Sequence, residues 1–241
     1  MKNILDLSLK LIALKTTKNN FVEFRKAINL IKKLIPLSNL KIFYYRRLPV
    51  LLIFNQNPKV FQLGKNKYYF DILLQGHLDV VDGDKKLFRP KIKRGFLYGR
   101  GAVDMKCACA LMILLMKELI DLKIKKRIGL MLNFDEEVGG ESAEKMKKSI
   151  YGDILINLDG GYGLDLTYGE RGFIIFELIT ETQKPTPAIK LWQFKGASDP
   201  VQKLARDIHN LTKEFNRQKG INKTAFGVRE IIAESFPGEL R

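Results

Sequence analysis

The sequence predicts an α/β fold, a layered sheet domain with helices packed on it. Three observations support this. Apolar runs of strand length alternate with segments of helical periodicity. Three of those runs, Phe70–Leu74, Arg127–Phe134 and Asp153–Leu158, are dominated by apolar residues. Each leads into side chains that can bind a metal: His77 and Asp79, Glu136 and Glu137, and Asp159. With 241 residues and 46% hydrophobic content, the chain can bury one large domain, or one domain and part of another.

In chain order, Phe21, Phe24, Ile28, Ile31 and Leu34 recur at helical spacing with lysines between them, which predicts an amphipathic helix over 20–35. Strands are predicted at Lys41–Tyr45 and Val50–Phe54, followed by a polar turn or loop over Asn55–Lys67. Phe70–Leu74 reads as a buried strand leading to His77. Residues 102–122 read as a buried helix, Arg127–Phe134 as a strand, Glu141–Ile150 as a short helix and Asp153–Leu158 as a strand.

Composition narrows the function classes. The formal charge is +16, and residues 1–50 alone hold 11 Lys or Arg against 2 acids. No arginine-rich run is interleaved with aromatics, so the charge reads as a solvated basic surface and no specific nucleic-acid partner is expected. Cys107 and Cys109 are too close for a structural disulfide. The apolar stretch Ile4–Leu14 is interrupted by Asp6 and Lys10, which spoils a signal-peptide core, and no run is long enough to span a bilayer. A cytoplasmic protein without a membrane partner is the expectation.

In open α/β sheets, sites form beyond the carboxyl ends of the strands. Asp104 arrives there separately, in the glycine-rich loop Gly99-Arg100-Gly101-Ala102-Val103-Asp104. Four segments can therefore bring one imidazole and several carboxylates to one sheet edge, a donor set suited to zinc and related divalent ions. A His-x-Asp pair on a strand would put both side chains on one face, where the acid can fix the ring's tautomer. Of two adjacent glutamates, one can ligate while the other stays free to accept a proton from a polarised water. Each piece has a plainer reading: His77 as a structural histidine, Asp104 as a helix N-cap, the glutamates as a solvated strand end, Asp159 as a turn residue. Their joint appearance favours the metal.

The stretches GHLDVVDGD, LFRPKIKRGFLYGRGAVDMK, FDEEVGG, NLDGG and YGERG, in that order, resemble the M20 metallopeptidase family over Asp71 to Gly172. Its members include aminoacylases, the succinyl-diaminopimelate desuccinylase, carboxypeptidase G and dipeptidases. The resemblance implies hydrolysis of amide or peptide bonds in small N-acyl amino acids or peptides. It implies His77 on a first metal with Asp79 orienting its ring, Asp104 bridging two metals and Glu136 as general base. Glu137 would bind the second metal and Asp159 would complete the first. The metal would be zinc, with cobalt or manganese as alternatives. The implied architecture is a zinc-peptidase-like sheet domain over 1–172 and a partial ferredoxin-like lid over 173–241, a homodimer forming through the lid.

Two departures from the family follow. Its members usually place two small glycines after Asp-Met-Lys, where this chain has Cys107-Ala108-Cys109, read as packing thiols. Beyond Gly172, the lid strands are expected at Phe173–Thr180 and Thr224–Ala233. A helix capped by Asp199-Pro200 is expected between them, with His209 on its surface and Trp192 in a loop. Ser235–Arg241 resembles the start of a third lid strand. The reading is thus of a C-terminally truncated member without the family's last metal-binding histidine: up to two ions, of which one is tight, held by His77, Asp104 and Asp159. The alternatives are an inactive remnant or a subunit needing a separate C-terminal piece.

Overall fold

The structure, a computed structural model, describes residues 2–159, 206–210 and 213. The chain divides into two compact units, Met1–Tyr168 and Gly169–Arg241. In the second, residues 206–210 are helical and His209 is exposed. The expected lid strands, the segment 235–241 and Trp192 lie outside the described residues.

The first unit is built on a mixed six-stranded sheet. Strands β1 (Leu40–Tyr45) and β2 (Leu48–Phe54) form an antiparallel hairpin. Its two-residue turn is Arg46-Arg47, with φ of 45° and 72°, and two positive φ values match the twist of paired strands. Next come β7 (Ile128–Asn133), antiparallel to β2, and β4 (Lys67–His77), parallel to β7. The short β3 (Gln62–Gly64) and the long β8 (Ile150–Asn157) both pair with β4, β8 in parallel. A separate hairpin joins β5 (Lys91–Lys93) to β6 (Phe96–Tyr98).

A strand covered on both faces must be apolar without alternation, and β2 shows it. Leu51 and Ile53 enter one core cluster, while Val50, Leu52 and Phe54 enter the other. The first cluster takes α1 (Lys2–Ile12), α2 (Phe21–Lys32) and α3 (Lys106–Asp121). Helix α2 buries Phe24, Ala27, Ile28 and Ile31, the i, i+3, i+4, i+7 stripe of one face. The second cluster is largely aromatic: Phe54, Phe61, Tyr68 and Phe70 meet with ring centroids 5.0–5.6 Å apart. Arg25, Lys26 and Lys32 on α2, and Lys59, Lys65 and Lys67 between the aromatic positions, stay exposed, as the charge pattern predicts.

Two polar ties fix the start of β7. The buried Asn55 donates to the carbonyls of Ile124 (2.8 Å) and Lys126 (2.9 Å) and accepts from the amide of Ile128 (2.9 Å). Asp71 on β4 accepts from the Arg127 amide (2.8 Å) and guanidinium (2.6 Å), and that guanidinium holds its carboxyl below the usual range. The register brings His77 level with Asn133 and Gln75 level with Asn157, so β7, β4 and β8 end together.

Strand β8 stands out in its exposure. Ile154, Leu155 and Ile156 are 52%, 59% and 38% exposed, on both faces of a strand paired only to β4 among the described residues. Exposed apolar strand edges associate. The 241-residue chain is expected to self-associate in light scattering, and the double substitution Ile154→Lys, Ile156→Lys to shift it toward monomer. A monodisperse monomer at all concentrations before substitution contradicts this.

Candidate metal centre

The side chains expected to act together do meet beyond the shared carboxyl end of β7, β4 and β8. His77 closes β4, Glu136 and Glu137 follow β7 in a single 3-10 turn (Glu136–Val138), and Asp159 lies two residues past β8. Nε2 of His77 is the hub: it lies 3.0 Å from Asp104, 3.4 Å from Asp159 and 3.8 Å from Glu136. His77 is buried, while the Asp104 and Glu136 side chains are 60% and 50% exposed. The cluster therefore has a dry imidazole floor and an open carboxylate rim.

The backbone around His77 is packed hard against α3. A Cβ added to Gly76 would meet Met112 Cε at 2.7 Å and Met105 Cε at 2.9 Å, so the two methionine tips pack directly against its bare Cα. The His77 amide faces Met105 Sδ at 3.3 Å, and its carbonyl accepts from Cys109 Sγ at 3.0 Å. Cys109 is fully buried, and burial pushes its thiol pKa up. It acts as packing, as expected, and no cysteine joins a metal-type group among the described residues.

Two expectations change in detail. Strand β4 ends at His77, so Asp79 meets the imidazole from the following loop and not from a shared strand face. Its carbonyl lies 3.1 Å and its Oδ1 3.4 Å from Nδ1, while Oδ2 accepts from the Glu137 amide at 3.0 Å. Asp79 thus ties the histidine to the glutamate turn. Asp104 does not cap α3: the N-cap is Met105, which makes no side-chain capping bond, and the Asp104 carboxylate is spent on His77.

Sequence reasoning missed the supports. The buried Asp135 accepts from the Ser142 amide (2.8 Å), the Ser142 hydroxyl and Asn133 Nδ2 (3.1 Å), holding the turn that carries both glutamates onto α4 (Glu141–Met146). Gly139 and Gly140, with φ of 114° and 65°, make that turn, and they were the available sequence signal. Lys106, buried, reaches back to the Leu14 carbonyl (2.6 Å) and anchors the loop after Asp104.

The electrostatics call for a positive occupant. Burial works against a charged His77, but Asp79 and the charges of Asp159 and Glu136 outweigh it and push its pKa up to about 9. Burial raises the Glu136 carboxyl; the His77 charge opposes this, and Asp159 and Asp79 add to it. Burial likewise raises Glu137, with Asp104 adding to it. A divalent cation can take the place of the imidazole proton. Atoms bound to one zinc at roughly 2.0–2.2 Å lie about 3–4 Å from one another, the range found around Nε2. Two groups have all their ligand atoms within 4.8 Å, His77–Glu136–Asp159 and His77–Asp104–Glu137, so the expected first-ion trio of His77, Asp104 and Asp159 is split between them, and Glu136 stands beside Asp159 where Asp104 was expected. Asp79 Oδ1, buried without a hydrogen bond, is left 3.4 Å from the imidazole to stabilise it electrostatically. The donor set fits the ion.

Known proteins resemble the chain over this region. The model of peptidase family M20/M25/M40 matches residues 73–204. Succinyl-diaminopimelate desuccinylase of Nitrosomonas europaea is 39% identical over 74 residues, 27% of this chain and 20% of that protein. Aminoacylase-1 of Dictyostelium discoideum is 33% identical over 119 residues, 42% of this chain and 29% of that protein. The stretches matched therefore span less than a third of these relatives' own length. Human carnosine dipeptidase 1 shares the fold at TM-score 0.50 and 18% identity, over 67% of this chain and 39% of that one.

Proposed function

The chain belongs to peptidase family M20/M25/M40, and from that membership we propose that it is a metal-dependent hydrolase of amide bonds in small N-acyl amino acids or peptides. The observation that carries this reading is the convergence of three carboxylates on Nε2 of the buried His77, at the common end of three parallel strands. The names of the relatives, a desuccinylase and an aminoacylase, fit the same bond type.

His77, Asp104 and Asp159 would hold the first cation, zinc or a similar ion such as cobalt or manganese. Asp104 would be shared with a second ion that Glu137 also binds. A bound cation of this kind supplies Lewis acidity, polarising the amide carbonyl and making a nearby water more acidic. Nδ1–H of His77 donates to the Asp79 backbone carbonyl at 3.1 Å, with the Asp79 carboxylate stabilising the ring from 3.4 Å, which leaves Nε2 as the electron-pair donor. Glu136, whose carboxyl is already raised toward proton affinity, takes the proton of the attacking water and passes it to the leaving amine nitrogen. The open rim lets a small substrate reach both groups. Both candidate groups draw on His77, so the chain is expected to hold one ion tightly and a second weakly.

The test is amine release from N-acetyl amino acids and dipeptides by metal-depleted chain, with zinc, cobalt or manganese added back. Release that requires added metal and stops on chelation is expected. Release indifferent to chelation contradicts the reading. Tight metal binding with no release favours the second reading, a remnant or a subunit that needs another piece. We assign the hydrolase unit to residues 1–172 and a lid segment, through which a homodimer would form, to 173–241.

A further inference from the structure

The connection between α1 and α2 takes no part in the chemistry above, yet it holds the loop on which that chemistry depends. Thr16, in that connection, is buried and bonded twice to the segment that follows β4. Its hydroxyl donates to the Leu78 carbonyl at 2.5 Å, and its own carbonyl accepts from the Val80 amide at 3.1 Å. Leu78 and Val80 are the two neighbours of Asp79, so a single residue clamps the backbone on both sides of it. Leu78, Asp79 and Val80 are all buried, and buried backbone groups depend on such partners.

Asp79 passes the constraint on in two directions. Its carbonyl and Oδ1 lie 3.1 and 3.4 Å from His77 Nδ1, and its Oδ2 accepts from the Glu137 amide at 3.0 Å. A shift of Asp79 would therefore move the imidazole and the glutamate turn together. The same connection reaches the other arm of the centre. The Leu14 carbonyl accepts from the Lys106 ammonium at 2.6 Å, and the Lys106 amide donates to the Gly101 carbonyl at 2.8 Å, closing the loop that carries Asp104. The connection is itself tied down: Asn20 donates from Nδ2 to the Lys15 carbonyl (2.8 Å) and from its amide to the Thr17 carbonyl (3.0 Å).

We infer that Thr16 is a positioning residue of the metal centre: through Leu78 and Val80 it fixes Asp79, and through Asp79 the direction in which His77 presents Nε2 to the ion. The inference rests on the metal-dependent reading, and adds to it a residue that touches neither ion nor substrate. Partners that orient a metal ligand are worth roughly 10–100-fold in affinity, and Thr16 acts one step further out, so the lower end of that range is expected.

The experiment compares the 241-residue chain with Thr16→Val and Thr16→Ser. Valine keeps the branched shape and removes the hydroxyl; serine keeps the hydroxyl. Zinc affinity is measured by competition with a chromophoric chelator. The visible spectrum of bound cobalt reports how its ligands are arranged, and circular dichroism verifies the fold of each sample. Thr16→Val is expected to bind zinc about ten-fold more weakly and to change the cobalt spectrum, and Thr16→Ser to restore both. Asn55→Ala, which breaks buried hydrogen bonds at the opposite end of β7, should lower the melting temperature and leave both metal readouts as in the parent. An unchanged zinc affinity or an unchanged cobalt spectrum in Thr16→Val overturns the inference. So does a Thr16→Ser as weak as Thr16→Val, or an equal loss in Asn55→Ala. If Thr16→Val does not fold, Thr16→Ala takes its place under the same criteria; if neither folds, Thr16 serves the fold at large and the inference fails. Failure of the metal-dependent reading has a different signature, an unsubstituted chain that binds no zinc or releases amine without it.

Discussion

Glu136→Gln is expected to leave zinc content unchanged and to lower metal-dependent amide hydrolysis by ~10²-fold or more, about 2.7 kcal/mol of transition-state stabilisation. The amide keeps the shape of the carboxylate and its place on the 3-10 turn, so the site stays assembled. It removes the ability to accept a proton. Glu136 Oε2 is 3.8 Å from Nε2, the longest of the three carboxylate distances, and its side chain is half-exposed on the rim. Both features suit a group that works on water beside the ion. Zinc content after dialysis and rates of amine release, measured on the same samples, separate the roles. If zinc is lost together with the rate, Glu136 is a ligand and the base is Glu137.

His77→Ala is expected to abolish the tight zinc site, weakening binding by at least ~10²-fold, since even outer partners of metal ligands are worth roughly 10–100-fold. Both candidate groups depend on His77, and no other imidazole joins them among the described residues. Glu137→Ala, which removes one carboxylate from the weaker position, should change the tight site by less than about ten-fold. The parent chain carries a pH signature. Zinc must displace a proton from an imidazole whose pKa is raised to about 9, so affinity should fall as pH drops below about 9, with close to one proton released per ion near neutrality. Calorimetry in buffers of different ionisation enthalpy counts that proton. In His77→Ala it should vanish. Because His77 is buried, circular dichroism must show that the variant is folded.

The parts of the fold that were legible are those where one periodic pattern decides. Helix α2 could be read because an amphipathic helix must show its stripe, and β4, β7 and β8 because each holds a non-alternating apolar run of strand length, the pattern of a doubly covered strand, although β8 is exposed. From those strands the placing of His77, Glu136, Glu137 and Asp159 at one sheet end followed. Helix α1 hides behind the look of a spoiled signal core, although Asp6 and Lys10 break the apolar run just as a helix with buried Leu7 and Leu11 requires. The stretch Asn55–Lys67 is not all loop: Pro58–Phe61 is a 3-10 turn and Gln62–Gly64 a short strand, both too brief for a period to show. The β5–β6 hairpin turns on Arg94-Gly95, with φ of 51° and 80°, a weak local signal. The pairing of Asp71 with Arg127 and the hold of Asp135 on Ser142 were not legible at all, because side-chain bonds between distant segments leave no pattern along the chain.

Zinc K-edge absorption on the singly loaded chain tests the metal centre most directly, because it counts the atoms bound to the ion. A centre built on His77, Asp104 and Asp159 gives one imidazole nitrogen and the rest oxygen, all at about 2.0–2.2 Å, and a spectrum that His77→Ala strips of its imidazole contribution. A sulfur shell near about 2.3 Å would move the ion to Cys107 or Cys109. Two or more imidazoles, or a spectrum unchanged in His77→Ala, would equally contradict that centre.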